Sequence, residues 1–138
     1  MFLDILELGK KIHIHTDQSN HSSQAESELI VSLVKELGLG TPKNTEPFIW
    51  LIHVISPSTY SESRFQDLVS GMAEQNIGVI CCPSAAISMR QYRPVKSPTY
   101  NCIARVLDFL ASGVWVRLGS DNICDILQWS DTISDNIK

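Results

Sequence analysis

A chain of 138 residues, 43% hydrophobic and 19% charged, has the composition of one globular domain, residues 1–138, and not of a disordered polypeptide. Its formal charge of −4 and pI near 5.5 argue against nucleic acid or an anionic membrane as the main partner. Four cysteines (Cys81, Cys82, Cys102 and Cys124) form no Cys-x-x-Cys, so reduced thiols in cytoplasm are expected rather than a zinc ribbon or a disulfide framework.

Residues 2–10 read as a short helix closing at Gly9, without the charged start and long apolar run of a secretory leader. Ile12-His13-Ile14-His15-Thr16 alternates with period two and reads as the first strand. Residues two apart on a strand share a face, so His13, His15 and Asp17 are expected to project together at its end. After the polar Ser19–Ser23, a helix is predicted over about 24–37. Leu29, Ile30, Leu33, Val34 and Leu37 form its inner face, and Gly38 stops it. Gly38-Leu39-Gly40 neither follows a strand nor opens a helix, so it is no phosphate loop.

Phe48 to Val54 reads as a second strand, apolar on both faces like a strand covered twice and far too short to span a bilayer. Ser56-Pro57-Ser58 breaks it. A helix over about 62–75 turns Phe65, Leu68, Val69 and Met72 inward. A third strand, Ile77 to Cys82, stops at Pro83. The long connection Ser84 to Pro98 carries Met89-Arg90-Gln91-Tyr92-Arg93. A helix over about 99–111 follows, with Ile103, Val106, Leu107 and Leu110 inward and Gly113 as its cap. Val114 to Leu118 is the fourth strand, followed by Gly119-Ser120-Asp121-Asn122 and a polar tail from Ile126.

The order βαβαβαβ at this spacing predicts an α/β fold of parallel strands joined by right-handed crossovers. Such folds build their sites at the carboxyl ends of strands. Those ends carry His15, Asp17 and Gln18, then His53 and Ser56, then Cys82 and Ser84, then Ser120, Asp121 and Asn122. The opposite ends, at Lys11, Pro47, Gln75-Asn76 and Gly113, are bland. Neutral imidazole and carboxylate oxygen suit zinc or iron, and a water bound to such an ion loses a proton near neutral pH. A further imidazole can polarise a carbonyl or move protons.

His15-Thr16-Asp17-Gln18, the strand ending in His53, Cys82-Pro83-Ser84 and Gly119-Ser120-Asp121-Asn122 together resemble the second half of the metal-dependent amidohydrolase superfamily. The branch they are most similar to contains cytosine deaminase. Its pattern is a His-x-Asp-Glu after strand five, a His ending strand six, an Asn-Pro-like turn after strand seven and a Gly-His-Asp-Asp after strand eight. The match spans about residues 12–125. It implies half of a TIM-like (β/α)8 barrel, strands five to eight. His15 would be a metal ligand, His53 the catalytic imidazole that orients water or substrate, and Asp121 a ligand and proton acceptor.

The resemblance further implies hydrolysis of a C–N bond in a small cyclic or amide substrate. Gln18 stands at the position of the family's proton-shuttling Glu. An amide carries no such proton, which puts deamination in doubt and leaves open an amidohydrolase or deaminase-like hydrolase that uses Asp121 as proton carrier. Ser120 replaces the family's second His, and the first-strand His-x-His is absent. His13-Ile14-His15 imitates that pair, but His53 follows it too soon and the run continues into Asp17-Gln18, as the fifth-strand motif does.

A full barrel needs at least about 200 residues. Four βα units therefore lead us to expect pairing with a second copy or with a missing N-terminal half. The alternative is a catalytically inactive half-barrel that self-associates. A weaker one is an open, flavodoxin-like sheet holding a small ligand at its switch point.

Overall fold

The computed structural model describes residue 5, residues 8–88 and residues 103–121, with the side chains of 86–88 left aside. The expectations for residues 2–4, the Met89–Arg93 segment, Cys102, Asn122, Cys124 and the tail fall outside them. The elements run β1 (Ile12–Thr16), α1 (Glu26–Glu36), β2 (Ile49–His53), a 3-10 turn (Ser56–Thr59), α2 (Glu62–Gln75), β3 (Gly78–Cys81), α3 (Pro83–Ser88), α4 (Val106–Ala111) and β4 (Val116–Leu118). The short helix α3 opens the connection that sequence reasoning reads as a loop.

All four strands are parallel and stand in chain order, β1-β2-β3-β4. Consecutive strands can lie side by side in parallel only when each crossover passes over the sheet, which α1 and α2 do. One sheet face, with Ile12, Ile14, Ile49, Leu51, Val79, Cys81 and Val116, packs on the helices through Val34, Phe65, Leu68, Val69, Met72 and Phe109. The other face carries His13, His15, Trp50, Ile52, Gly78, Ile80 and Arg117, paired in register across the strands. In a closed barrel this second face would line the interior.

The inner face expected of α2 is the one observed: Phe65, Leu68, Val69 and Met72 are all buried. Ser61 accepts from Arg64 N at its start, and Asn76, left-handed at φ 52°, ends it. For α1 the phase is corrected. Leu29, Leu33 and Leu37 are exposed, and the residues that meet the core are Ile30, Val31 and Val34. The apolar stripe is wider than the strip of sheet available at this edge, so part of it stays in solvent. The same correction applies to α4, where Ile103, Leu107 and Leu110 face solvent and Phe109 is buried. Phe109 meets Phe65 edge to face at 5.4 Å between centroids, which fixes the helix's rotation.

The lower part of the sheet's second face is filled by a single large side chain. Trp50 is fully buried, donates Nε1 to Pro47 O at 2.9 Å, and lies across Gly78. Arg117 stacks 4.5 Å above its ring and pairs with Glu46, which also pairs with Lys11. These groups close the end opposite the candidate site. Among the described residues no helix is long and apolar enough to cross a membrane.

Candidate metal centre

The site gathers at the carboxyl ends of β1 and β2 and just beyond β4. His15 Nδ1 lies 3.0 Å from His53 Nε2, and that nitrogen is 3.8 Å from Asp121 Oδ2. One donor atom from each of His15, His53 and Asp121 falls within 4.8 Å of the others. Ligands held about 2.0–2.2 Å from a tetrahedral zinc stand roughly 3.4 Å apart; the spacings of 3.0 and 3.8 Å lie on either side of that value, and the third pair falls within 4.8 Å. Gln18 joins the group, its Nε2 3.1 Å from His15 Nδ1.

Backbone geometry explains how residues far apart in sequence converge. Asp17 (φ 49°), His53 (φ 78°), Val54 (φ 49°) and Asp121 (φ 66°) all adopt left-handed conformations at or near strand ends. No glycine is among them, and Val54 is β-branched, so each costs on the order of 1–3 kcal/mol. Cross-strand hydrogen bonds hold the turns. Val54 N donates to Thr16 O, while Ile55 N and Ser56 N both donate to Asp17 O at 2.9 and 3.1 Å. Strain concentrated where three candidate ligands emerge is a mark of a built site.

His53 is buried, and its Nδ1 has no hydrogen-bond partner among the described residues. Burial pushes its imidazole below the ordinary range; the Asp121 carboxylate opposes this and His15 adds to it. The ring is therefore held neutral, the form that ligates a metal. Cys82, beside Gly119, is a buried thiol pushed up to about 11 by burial and by the Asp121 charge. It is thus a poor nucleophile at neutral pH.

Asp17 departs from its expected direction. The strand ends at Thr16, and the left-handed turn at Asp17 breaks the period of two. Its carboxylate accepts from Glu26 N at 2.9 Å and Ser27 N at 3.2 Å, capping α1 from nine and ten residues away because Ala25 offers no side-chain cap. Ser56 is also structural. It is fully buried and donates to Ser19 O and Gln24 Oε1, pinning the loop after β1. His13 is exposed on the sheet's second face; Ser84 and Ser120 are exposed as well, and none of the three is in the donor group.

Burial raises the Asp17 carboxyl to about 6, from an unfolded value near 3.8, with its bond to Glu26 adding to the rise. A raised folded value means that the proton favours the fold. Its stabilising contribution is complete below about pH 3.8 and disappears as pH rises through about 6. Relative to Asp17→Asn, the native chain is therefore expected to lose stability between pH 4 and 7. Urea denaturation of both proteins across that range checks the slope.

No family model matches the chain, and no curated protein matches it. Solved structures do match in fold. A 5-methylcytosine deaminase from Klebsiella pneumoniae, liganded with 5-fluorocytosine, superposes with a TM-score of 0.70 at 17% identity, over 88% of this chain and 28% of that one. An N-isopropylammelide isopropylaminohydrolase from Burkholderia multivorans gives 0.60 at 22% identity, over 90% and 27%. The chain shares the fold of part of these two proteins. It spans little more than a quarter of the length of these two neighbours. The four-stranded parallel sheet is thus a partial TIM-like barrel, with the donor group at the strand ends where such barrels place their chemistry.

Proposed function

We propose that this chain carries part of the metal centre of an amidohydrolase-type enzyme that hydrolyses a C–N bond in a small cyclic or amide substrate. The observation that carries the reading is the convergence of His15, His53 and Asp121 within 4.8 Å at the strand ends of this fold. The names of the two neighbours, a deaminase and an aminohydrolase, support a C–N bond as target.

His15 and Asp121 would hold zinc or iron. The resemblance to the amidohydrolase superfamily implies for His53 the part of an orienting imidazole. With its Nε2 only 3.0 Å from His15, it would serve as a third donor, which would meet the count a catalytic zinc requires. When bound, the ion supplies a water acidic enough to ionise near neutral pH. Asp121 would accept a proton from such a water and deliver it to the leaving nitrogen. Gln18 offers an amide hydrogen bond there and no transferable proton, which favours simple hydrolysis with Asp121 as the only carboxylate in the group.

A second reading is a half-barrel without catalysis that pairs with itself. It is favoured by the sheet edges: among the described residues β1 and β4 each pair on one side only. Leu29 and Leu33 on α1 and Leu37 at its end are exposed, as are Leu107 and Leu110 on α4 and Leu118 on β4 itself. A twofold axis along the barrel would set β1 of each copy against β4 of the other and close eight parallel strands.

One preparation tests both readings. Stoichiometric zinc or iron by elemental analysis, lost in His15→Ala, supports the hydrolase. A metal-free particle with the mass of two chains by light scattering supports the inactive half-barrel. A metal-free monomer sinks both.

A further inference from the structure

The amide of Gln18 sits where a cation would have to bind. Its Nε2 is 3.1 Å from His15 Nδ1, and the same ring nitrogen faces His53 Nε2 at 3.0 Å. An amide nitrogen donates and has no lone pair to offer, so His15 Nδ1 is the acceptor. In the neutral ring the proton then resides on Nε2. That tautomer leaves Nδ1 with the lone pair a metal needs, but Gln18 already engages it. The contact follows from the chain path. The left-handed turn at Asp17 folds residue 18 back over residue 15, while the Asp17 side chain is anchored to α1.

We propose that Gln18 is a positioning residue that competes with a cation for the inward nitrogen of His15 and so sets how tightly this centre takes metal. The inference rests on the metal-centre reading above and adds the group that regulates it. A nitrogen lone pair cannot bond an ion and an N–H at once, so every binding event must first break the Gln18 contact. Gln18 is exposed, and its amide can swing into water without opening the core. The Gln18 part of the competition therefore costs one hydrogen bond and no unfolding, in addition to the His53 contact on the same nitrogen, which every variant at residue 18 retains.

Two measurements test it, the first without metal. Imidazole nitrogen spectra of the metal-free protein are expected to show His15 protonated on Nε2. Gln18→Glu, whose carboxylate only accepts, is expected to move that proton to Nδ1. A purely steric role for residue 18 would not change the tautomer. The second is a zinc titration against a chromophoric chelator. Gln18→Ala is expected to bind zinc roughly fivefold to tenfold more tightly than the native chain, the factor one net hydrogen bond represents.

A native His15 protonated on Nδ1 overturns the proposal. So does a Gln18→Ala affinity equal to or weaker than native, and in that case the metal centre itself stands. If neither chain takes up zinc, both the competition and the centre it acts on are overturned.

Discussion

Replacing His53 with alanine is expected to abolish zinc capture, and replacing it with glycine to do the same while giving a more stable protein than alanine. His53 lies between the other two donors, 3.0 Å from His15 and 3.8 Å from Asp121, so its loss leaves a pair too few for a catalytic ion. The affinity loss should exceed the roughly 10–100-fold that follows removal of an outer-shell partner. The stability difference comes from the backbone. At φ 78° a Cβ is strained, a cost of about 1–2 kcal/mol that glycine does not incur. Glycine loses about 0.5–1 kcal/mol more chain entropy than alanine on folding. The strain is the larger quantity, so His53→Gly should exceed His53→Ala by up to about 1 kcal/mol in denaturant titrations. An alanine variant that takes up zinc as tightly as the native chain would remove His53 from the donor group.

What was legible in the sequence divides along physical lines. Helix α2 was readable in extent and phase because it crosses the middle of the sheet, where every apolar residue of its stripe finds a partner. For α1 and α4 the period marked a helix but not its rotation, since each lies towards an edge and only part of its stripe is covered. Sequence nominates His15, His53 and Asp121, which the fold brings within 4.8 Å of one another, because parallel folds display the ends of their strands.

Asp17 was misread for a related reason. The rule of two holds only while the chain stays extended, and nothing in Asp17-Gln18 announces a left-handed turn. The burial of His53, and the lack of a partner for its Nδ1 among the described residues, were equally hidden, being products of how the turns at Asp17 and Val54 bond to each other. The opposite end reads as bland in sequence. That reading passed over the Trp50, Arg117, Glu46 and Lys11 group that fills that end.

That group sets the other large expected effect. Gly78→Ala is expected to destabilise the chain by about 3 kcal/mol, the upper part of the range for overpacked cores. A Cβ there would stand 2.5 Å from Trp50 Cε3, 2.7 Å from Cζ3 and 2.9 Å from Cδ2, inside any tolerable carbon–carbon contact. The ring has little room to yield. Its Nε1 is tied to Pro47 O, Arg117 covers its face, and the residue is fully buried.

The two residues are register partners on adjacent parallel strands, so the clash pushes β2 away from β3. His53 is three residues along the same strand, and its distance to His15 changes with any such shift. Gly78→Ala is therefore expected to weaken zinc binding as well as stability, although it lies at the far end of the sheet. Combining it with Trp50→Leu separates the causes: the methyl then enters vacated space, and the double variant should be more stable than the sum of the two single losses implies. Strict additivity in denaturation would mean that the ring does not constrain Gly78.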